Sequence, residues 1–89
     1  MARKKETTVN GMKFTFQSIS PQSYYGINDE YLTGKKRDTA GYLDALIRNV
    51  VVEPKEVNAE GLGYFDENDD IGTSEKLLTA IESFLRERK

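Results

Sequence analysis

The chain has 89 residues, 13 basic and 15 acidic side chains, a net charge of −2, and neither cysteine nor histidine. This length allows one domain with a modest core, and the near balance of charge argues against a nucleic-acid module, which usually carries a clear positive excess. The absence of cysteine, of an apolar run after the N-terminus and of any long apolar segment predicts a cytoplasmic protein without a secretory signal or a membrane span.

The N-terminal part of the sequence predicts a β-hairpin. We expect residues 1–5 to form a flexible basic tail and residues 6–89 to form a single domain. Strands are predicted over residues 6–9 and 12–17, because the Asn10-Gly11 pair between them suits a tight turn with positive φ at both positions. The second strand alternates apolar and polar residues, which places three apolar side chains on one face: Met12, Phe14 and Phe16.

Two helices are predicted in the middle of the chain. The first spans residues 21–32, with Ser20 as N-cap, Pro21 at the first helical position and Gly34 as C-cap. The second has Asp38 or Thr39 as its N-cap and continues to about Val51, since Pro54 disfavours helix just before it. Its apolar stripe has the spacing of one buried helix face: Leu43, Leu46, Ile47 and Val50.

The last third of the sequence predicts irregular chain followed by a third helix. Residues 54–63 are expected to be irregular, with Gly61-Leu62-Gly63 as a flexible joint, Tyr64-Phe65 as an apolar anchor and residues 66–70 as an acidic turn. Thr73 or Ser74 is the expected N-cap of a helix that ends near Arg88. Its predicted buried face is Leu77, Leu78, Ile81, Phe84 and Leu85. A hairpin followed by about three helices predicts an α+β fold, with the helices on one face of a small sheet.

The residue types in this sequence give little support for a catalytic centre or a metal site. Without histidine or cysteine the commonest general base, nucleophile and zinc ligands are missing, so we expect no catalytic centre and no cofactor. Asp66, Asn68 and Asp70 have the first three spacings of a calcium-binding EF-hand loop, but Ile71 replaces the required glycine and Leu77 the bidentate glutamate. A solvated acidic turn before a helix N-terminus is the favoured interpretation, and no metal site is predicted.

Charged and aromatic clusters offer further candidate surfaces. Lys35-Lys36-Arg37 is interpreted as a solvated loop between helices, since a nucleic-acid patch would need supporting cations and stacking aromatics. The first helix carries more aromatic surface than one helix face can bury, which favours binding of another protein. The alternative is that this helix is wedged between the sheet and the second helix. The candidate partner-binding residues are Phe14, Phe16, Tyr24, Tyr25 and Tyr31. The same residues could instead form the core.

The order of several segments resembles a known family. These segments are KFTFQ at residues 13–17, YLDALI at 42–47, VVVEPK at 50–55, YFD at 64–66 and LLTAIESFL at 77–85. In this order they resemble the small tail assembly chaperones of long-tailed bacteriophages and of prophages in Gram-positive bacteria, over residues 9–85.

The resemblance implies a role in the host cytoplasm and two partners. Such a chaperone keeps the long, apolar tape measure protein soluble until tail tube protein displaces it, and it is absent from the finished particle. The family often makes a longer product by frameshifting, and it supplies no catalytic residues to carry over. Self-association would be a further way for a small polar domain to gain stability.

Other classes of function remain open. A structural tail or head-tail connector protein would stay in the particle, whereas a chaperone would be missing from it. A small regulatory protein that binds nucleic acid would show salt-dependent retention on DNA. An enzyme has the least support, because no titratable pair is apparent.

Overall fold

A computed structural model describes residues 3–32 and 37–87 of the chain. Strands β1 (Lys4–Val9) and β2 (Met12–Gln17) form the predicted antiparallel hairpin, with Val9 opposite Met12. Both turn residues have positive φ, 51° at Asn10 and 85° at Gly11, as a tight hairpin turn requires. The predicted hairpin is therefore confirmed, and it begins two residues earlier than expected.

The prediction of a basic tail is wrong for residues 3–5. The Arg3 backbone amide donates to Ser18 Oγ over 2.7 Å, and its guanidinium donates to the Phe84 carbonyl over 3.0 Å. Lys5 Nζ lies 2.7 Å from a Glu87 carboxylate oxygen. These contacts extend the sheet toward the N-terminus, because the basic side chains find partners at the end of the last helix. Residues 1 and 2 of the predicted tail lie outside the described residues.

A third strand, β3 (Val51–Glu53), completes a sheet of order β1-β2-β3. It runs antiparallel to β2, with Val51 opposite Phe16 and Glu53 opposite Thr15. The predicted helix end at about Val51 is within one residue of the observed end, but the strand after it was not predicted. The helix ends at Val50, and the β-branched residues after it pair with the sheet instead.

Five helices complete the described fold: α1 (Pro21–Tyr31), α2 (Thr39–Val50), α3 (Lys55–Glu60), α4 (Gly63–Glu67) and α5 (Ile71–Arg86). Ser20 caps α1 by accepting from the Ser23 amide, and Asp38 caps α2 by accepting from the Gly41 amide, so both predicted N-caps are confirmed. The predicted C-cap Gly34 lies outside the described residues.

Residues 54–70 are more regular than predicted. Helices α3 and α4 occupy most of the segment that we expected to be irregular. Gly61 is buried between them, so the predicted flexible joint is a fixed turn. Asp70 caps α5 by accepting from the Thr73 amide over 3.0 Å, which corrects the predicted caps at Thr73 and Ser74. Thr73 is instead buried inside the helix, where its hydroxyl accepts from the Asn10 side-chain amide over 2.8 Å.

The core lies between the inner face of the sheet and helices α2 and α5. Its buried apolar residues come from nearly every element: Val9, Phe14, Phe16, Tyr42, Leu43, Leu46, Ile47, Val50, Val51, Val57, Phe65, Leu77, Ile81 and Phe84. The buried faces predicted for α2 and α5 are largely confirmed, with Leu78 and Leu85 only partly buried. The predicted anchor Phe65 is also buried. The structure therefore confirms the α+β class, with helices on one face of a small antiparallel sheet.

Candidate partner-binding groove

Helix α1 differs from the other helices in how little of it the core buries. None of its 11 residues is fully buried, although all of them belong to the described chain. Tyr24, Ile27 and Tyr31 pack against the core with part of their surface. The Ser20 cap and Pro21 fix the first turn of α1. The partly buried side chains hold the rest of the helix against the core.

A groove separates α1 from the C-terminal end of α5. It has a volume of about 440 Å³ and is lined by Ile19, Pro21, Tyr24, Tyr25, Asn28, Asp29, Leu85 and Arg86. The Tyr25 side chain at this groove is 63% exposed. Its ring meets the Tyr24 ring edge to face, with 5.4 Å between the ring centroids. Two adjacent aromatic rings and two aliphatic side chains thus form an open surface that is mostly apolar.

A chain of hydrogen bonds fixes the position of Tyr24 behind the groove. Arg86 Nη2 donates to the Tyr24 hydroxyl over 3.0 Å, and the Tyr42 hydroxyl donates to a Glu82 carboxylate oxygen over 2.9 Å. The hydroxyls of Tyr24 and Tyr42 lie 3.4 Å apart. Since Tyr42 gives its only proton to Glu82, Tyr24 is the donor in this contact. The chain of bonds therefore runs in one direction, from Arg86 to Glu82, and it links α1 to α2 and α5.

Burial raises the pKa of the Tyr42 hydroxyl well above its usual value, and its hydrogen bonds with Tyr24 and Glu82 raise it further. This hydroxyl therefore keeps its proton and stays a donor throughout the neutral range. Its role in the network is to position Tyr24 rather than to exchange a proton.

The structure divides the predicted binding residues into three places. Tyr24 and Tyr25 line the groove together, as candidates for partner contact. Phe14 and Phe16 are each 1% exposed and belong to the core, so the prediction that they offer a surface to a partner was wrong. They point inward because the polar residues of β2 occupy its opposite, solvent-facing side.

Tyr31 lies away from the groove, at the far end of α1. Its ring packs over Gly41 at the start of α2, where a Cβ atom would come within 2.6 Å of the ring. Tyr31 therefore joins α1 to α2 through a close contact that only glycine allows.

The sequence interpretation found only Tyr24 and Tyr25 among the residues that line the groove. It placed Leu85 on the buried face of the last helix and gave no binding role to Ile19 or Arg86. They meet Tyr24 and Tyr25 only because α1 packs beside the end of α5. The one signal available in the sequence was the excess of aromatic residues in α1.

The acidic segment is taken up by structural contacts. Asp70 caps α5, and hydrogen bonds from Thr73 lower the pKa of its carboxyl. The Asn68 side-chain amide donates to the Tyr64 carbonyl over 2.8 Å. Within residues 3–32 and 37–87, no three acidic side chains are grouped so that they could hold a metal ion. Of the predicted basic cluster, only Arg37 is described, and it is exposed.

Comparisons with family models, with characterised proteins and with solved structures give no match to this chain. The described helices include none with both the length and the apolar character needed to cross a membrane. The interpretation of the groove therefore depends on its own geometry and on the order of segments in the sequence.

Proposed function

We propose that this protein binds apolar helical segments of another protein in the groove between α1 and α5, and that it acts as an assembly chaperone for a phage tape measure protein. The observation that carries the proposal is the exposed Tyr25 ring beside Ile19 and Leu85. A ring in this position gains from burial by a partner and contributes little to the core of its own domain.

The dimensions of the groove suit side chains from one face of a helix. Pockets that bind small ligands span about 300–1,000 Å³, so a groove of about 440 Å³ has room for one or two large apolar side chains. A helix that lies along α1 would supply them from positions i and i+3 or i+4. Polar groups at the rim, from Asn28 and Arg86, would remain in contact with water.

The strength expected of one such contact is low. Full burial of a tyrosine removes about 150–250 Å² from water, so the exposed part of Tyr25 amounts to roughly 100–150 Å². At about 25 cal/mol per Å² this area is worth roughly 2.5–4 kcal/mol, while a millimolar complex needs about 4 kcal/mol. Burial of Tyr25 alone therefore supports only a weak contact, and a protein that coats a long client in many copies needs only weak, reversible contacts at each site.

The identity of the client comes from the order of segments in the sequence. Residues 42–47, 50–55 and 77–85 resemble tail assembly chaperones, whose client is the tape measure protein and whose competitor is tail tube protein. In the structure these segments form α2, β3 and much of α5. The resemblance thus lies mainly in the core, and the groove adds a surface on which a helical client could be held.

Co-expression with a tape measure fragment tests this function. We expect the wild-type protein to keep the fragment in the soluble fraction, and Tyr25→Glu to lose this effect because it places a charge in the apolar groove. Ile71→Glu is the matched control, because Ile71 is 71% exposed and lies outside the groove. The proposal would be contradicted if both variants lost solubilisation equally, or if the wild-type protein did not solubilise the fragment.

Analysis of purified particles separates the chaperone from a structural tail or connector protein. We expect mass spectrometry of tails to find the tube and tape measure proteins without this chain. Stoichiometric amounts of the chain in washed particles would favour the structural role instead.

A further inference from the structure

The two edges of the sheet are protected to very different degrees. Strand β3 has only three residues and is followed by Pro54, and the Asn58 side-chain amide donates to its Val51 carbonyl over 2.7 Å. Strand β1, at the other edge, has six residues. Within the described chain, no other segment pairs with its outer side. A long open edge of this kind is able to accept another strand.

The hairpin turn determines which groups of β1 face outward. With a two-residue turn, Val9 and Met12 form a hydrogen-bonded pair, and such pairs recur at every second residue. The Ser18 amide, which donates to the Arg3 carbonyl over 2.7 Å, continues this alternation at the start of the strand. The backbone groups of Lys4, Glu6 and Thr8 therefore point away from β2.

The side chains of these three residues stand on the outer face of the sheet. All three are exposed, and the face opposite carries Phe14 and Phe16 toward the core. Glu6 shares this outer face with Lys13 and Thr15 of the neighbouring strand. The open edge thus presents a positive and a negative side chain two residues apart, at Lys4 and Glu6.

We propose that β1 pairs antiparallel with β1 of a second copy, about a two-fold axis at Lys5, to form a continuous six-stranded sheet. In this register Lys4 of each copy lies opposite Glu6 of the other. Two ion pairs then form across the axis, and the outward backbone groups of both residues exchange hydrogen bonds. The alternation of charge makes the edge complementary to itself.

Neighbouring registers lack this complementarity. An axis at Glu6 places the two Glu6 carboxylates against each other, and an axis at Thr7 places Glu6 opposite Thr8 without any ion pair. The proposed register brings the two Lys5 side chains together on the inner face. Each of them lies 2.7 Å from Glu87 of its own copy, and this contact lowers the pKa of the Glu87 carboxyl, so the lysine charge is already balanced.

Pairing of the edges goes beyond the proposed function and uses different residues. None of the residues that line the groove belongs to β1. The pairing uses none of the groove residues, and two weak grooves on one particle bind a long client with higher avidity than one. The charged edge would also admit a second copy more readily than an unrelated strand, since lysine at an edge disfavours general aggregation.

Sedimentation velocity over a range of concentrations tests this dimer with charge reversals. We expect Lys4→Glu and Glu6→Lys each to raise the dimer dissociation constant by about tenfold or more, because each turns two attractions into two repulsions. The double variant K4E/E6K restores both ion pairs and should return the constant to within about threefold of wild type. Lys13→Glu makes the same charge change one strand away from the edge and serves as the matched control.

A proline variant tests the backbone part of the pairing. Glu6→Pro removes an outward amide that the hairpin does not use, so it should abolish the dimer while far-UV circular dichroism remains unchanged. The proposed dimer would be overturned if the wild-type chain stayed monomeric. It would also be overturned if the double variant dimerised as weakly as the single variants, or if Lys13→Glu raised the dissociation constant as much as Lys4→Glu. A monomeric chain that still solubilises the client contradicts this inference alone, and a dimer that does not solubilise it contradicts only the proposed function.

Discussion

Helix α2 has two neighbours that are held to it in different ways. On one side, the C-terminal end of α3 is fixed by Arg48, whose guanidinium donates to the carbonyls of Ala59 and Glu60 over 2.9 Å and 3.2 Å. The Asp44 carboxylate accepts from the Leu62 amide over 2.9 Å in the same place. On the other side, α1 contributes no fully buried residue. Both neighbours are therefore bonded to α2, but α1 keeps part of its surface exposed, above all the Tyr25 ring.

The comparison also separates two kinds of aromatic residue. The Phe16 and Phe84 rings meet in the core at an angle of 52°, with 5.6 Å between their centroids, and both are buried. Tyr24 and Tyr25 make a similar ring contact at the surface. The same kind of ring contact therefore lies in the core in one place and at an exposed surface in the other.

The largest expected effect comes from truncation of the core. Leu46→Ala and Phe84→Ala should each lower the free energy of unfolding by about 2–5 kcal/mol, because both side chains are buried and would leave a cavity. Urea denaturation measures this change. Tyr25→Ala is the surface counterpart and should change the free energy by less than about 0.5 kcal/mol. An unchanged midpoint for Leu46→Ala would contradict the position of the core.

A glycine-to-alanine change should have opposite effects on the two sides of α2. Gly61 has φ of 58°, and an added Cβ would overlap the Asp44 carboxylate, so Gly61→Ala should destabilise the protein by about 1–3 kcal/mol. Gly26 lies in the middle of α1, and an added Cβ would meet no described atom within 4 Å apart from its chain neighbours and the backbone of its own helix. Gly26→Ala should therefore stabilise the protein by about 0.5–1 kcal/mol. Thermal unfolding of both variants shows whether the first is less stable and the second more stable than wild type. Destabilisation by Gly26→Ala would show that α1 is packed more tightly than described.

Removal of one hydroxyl tests the link between α1 and the rest of the domain. Tyr24→Phe should lower the free energy of unfolding by about 0.5–1.5 kcal/mol, because Arg86 loses its acceptor and Tyr42 its donor. Tyr25→Phe removes a hydroxyl from the neighbouring exposed ring and should have almost no effect. Equal effects of the two changes in urea denaturation would contradict the directed chain of hydrogen bonds.

The smallest expected effect is a change in stability with pH at the end of α5. The hydrogen bond from Lys5, with the nearby charge of Arg3, lowers the pKa of the Glu87 carboxyl in the folded protein. A carboxyl whose pKa is lower in the folded than in the unfolded protein stabilises the fold at pH values above its unfolded pKa of about 4.3. This contribution is lost as the pH falls through the pKa of the folded state. Melting temperatures from pH 7 down to about pH 3 should therefore fall less steeply for Glu87→Gln than for wild type. Identical slopes would contradict the ion pair.

Local signals in the sequence predicted the elements that depend on nearby residues. The Asn10-Gly11 turn, the Ser20 and Asp38 caps and the apolar stripe of α2 are each determined within a few positions, and all of them were found. The start of α5 was misplaced because Asp70, Thr73 and Ser74 are all good N-caps. Which of the three caps the helix depends on the distant Asn10, because its side-chain amide binds the Thr73 hydroxyl and helps to bury it.

Elements that depend on distant contacts were not predicted. Strand β3 has three residues and exists through its pairing with Thr15 and Phe16 of β2. The turn at Gly61 is fixed by Asp44 and Arg48, which lie more than ten positions earlier. The groove combines residues near positions 19–29 with residues 85 and 86. Of the five predicted binding residues, Tyr24 and Tyr25 line the groove, whereas Tyr31 packs at the other end of α1. Phe14 and Phe16 of β2 belong to the core.

Binding of an apolar helix along α1 is tested most directly by NMR titration of the ¹⁵N-labelled protein with a helical peptide from a tape measure protein. We expect amide shift changes to concentrate at Ile19, Tyr25 and Leu85, and to disappear in Tyr25→Glu. The assignment of the groove as the partner-binding surface would be contradicted if the amide shift changes were centred on the outer face of the sheet. It would also be contradicted if no amide shifts changed at millimolar concentrations of the peptide.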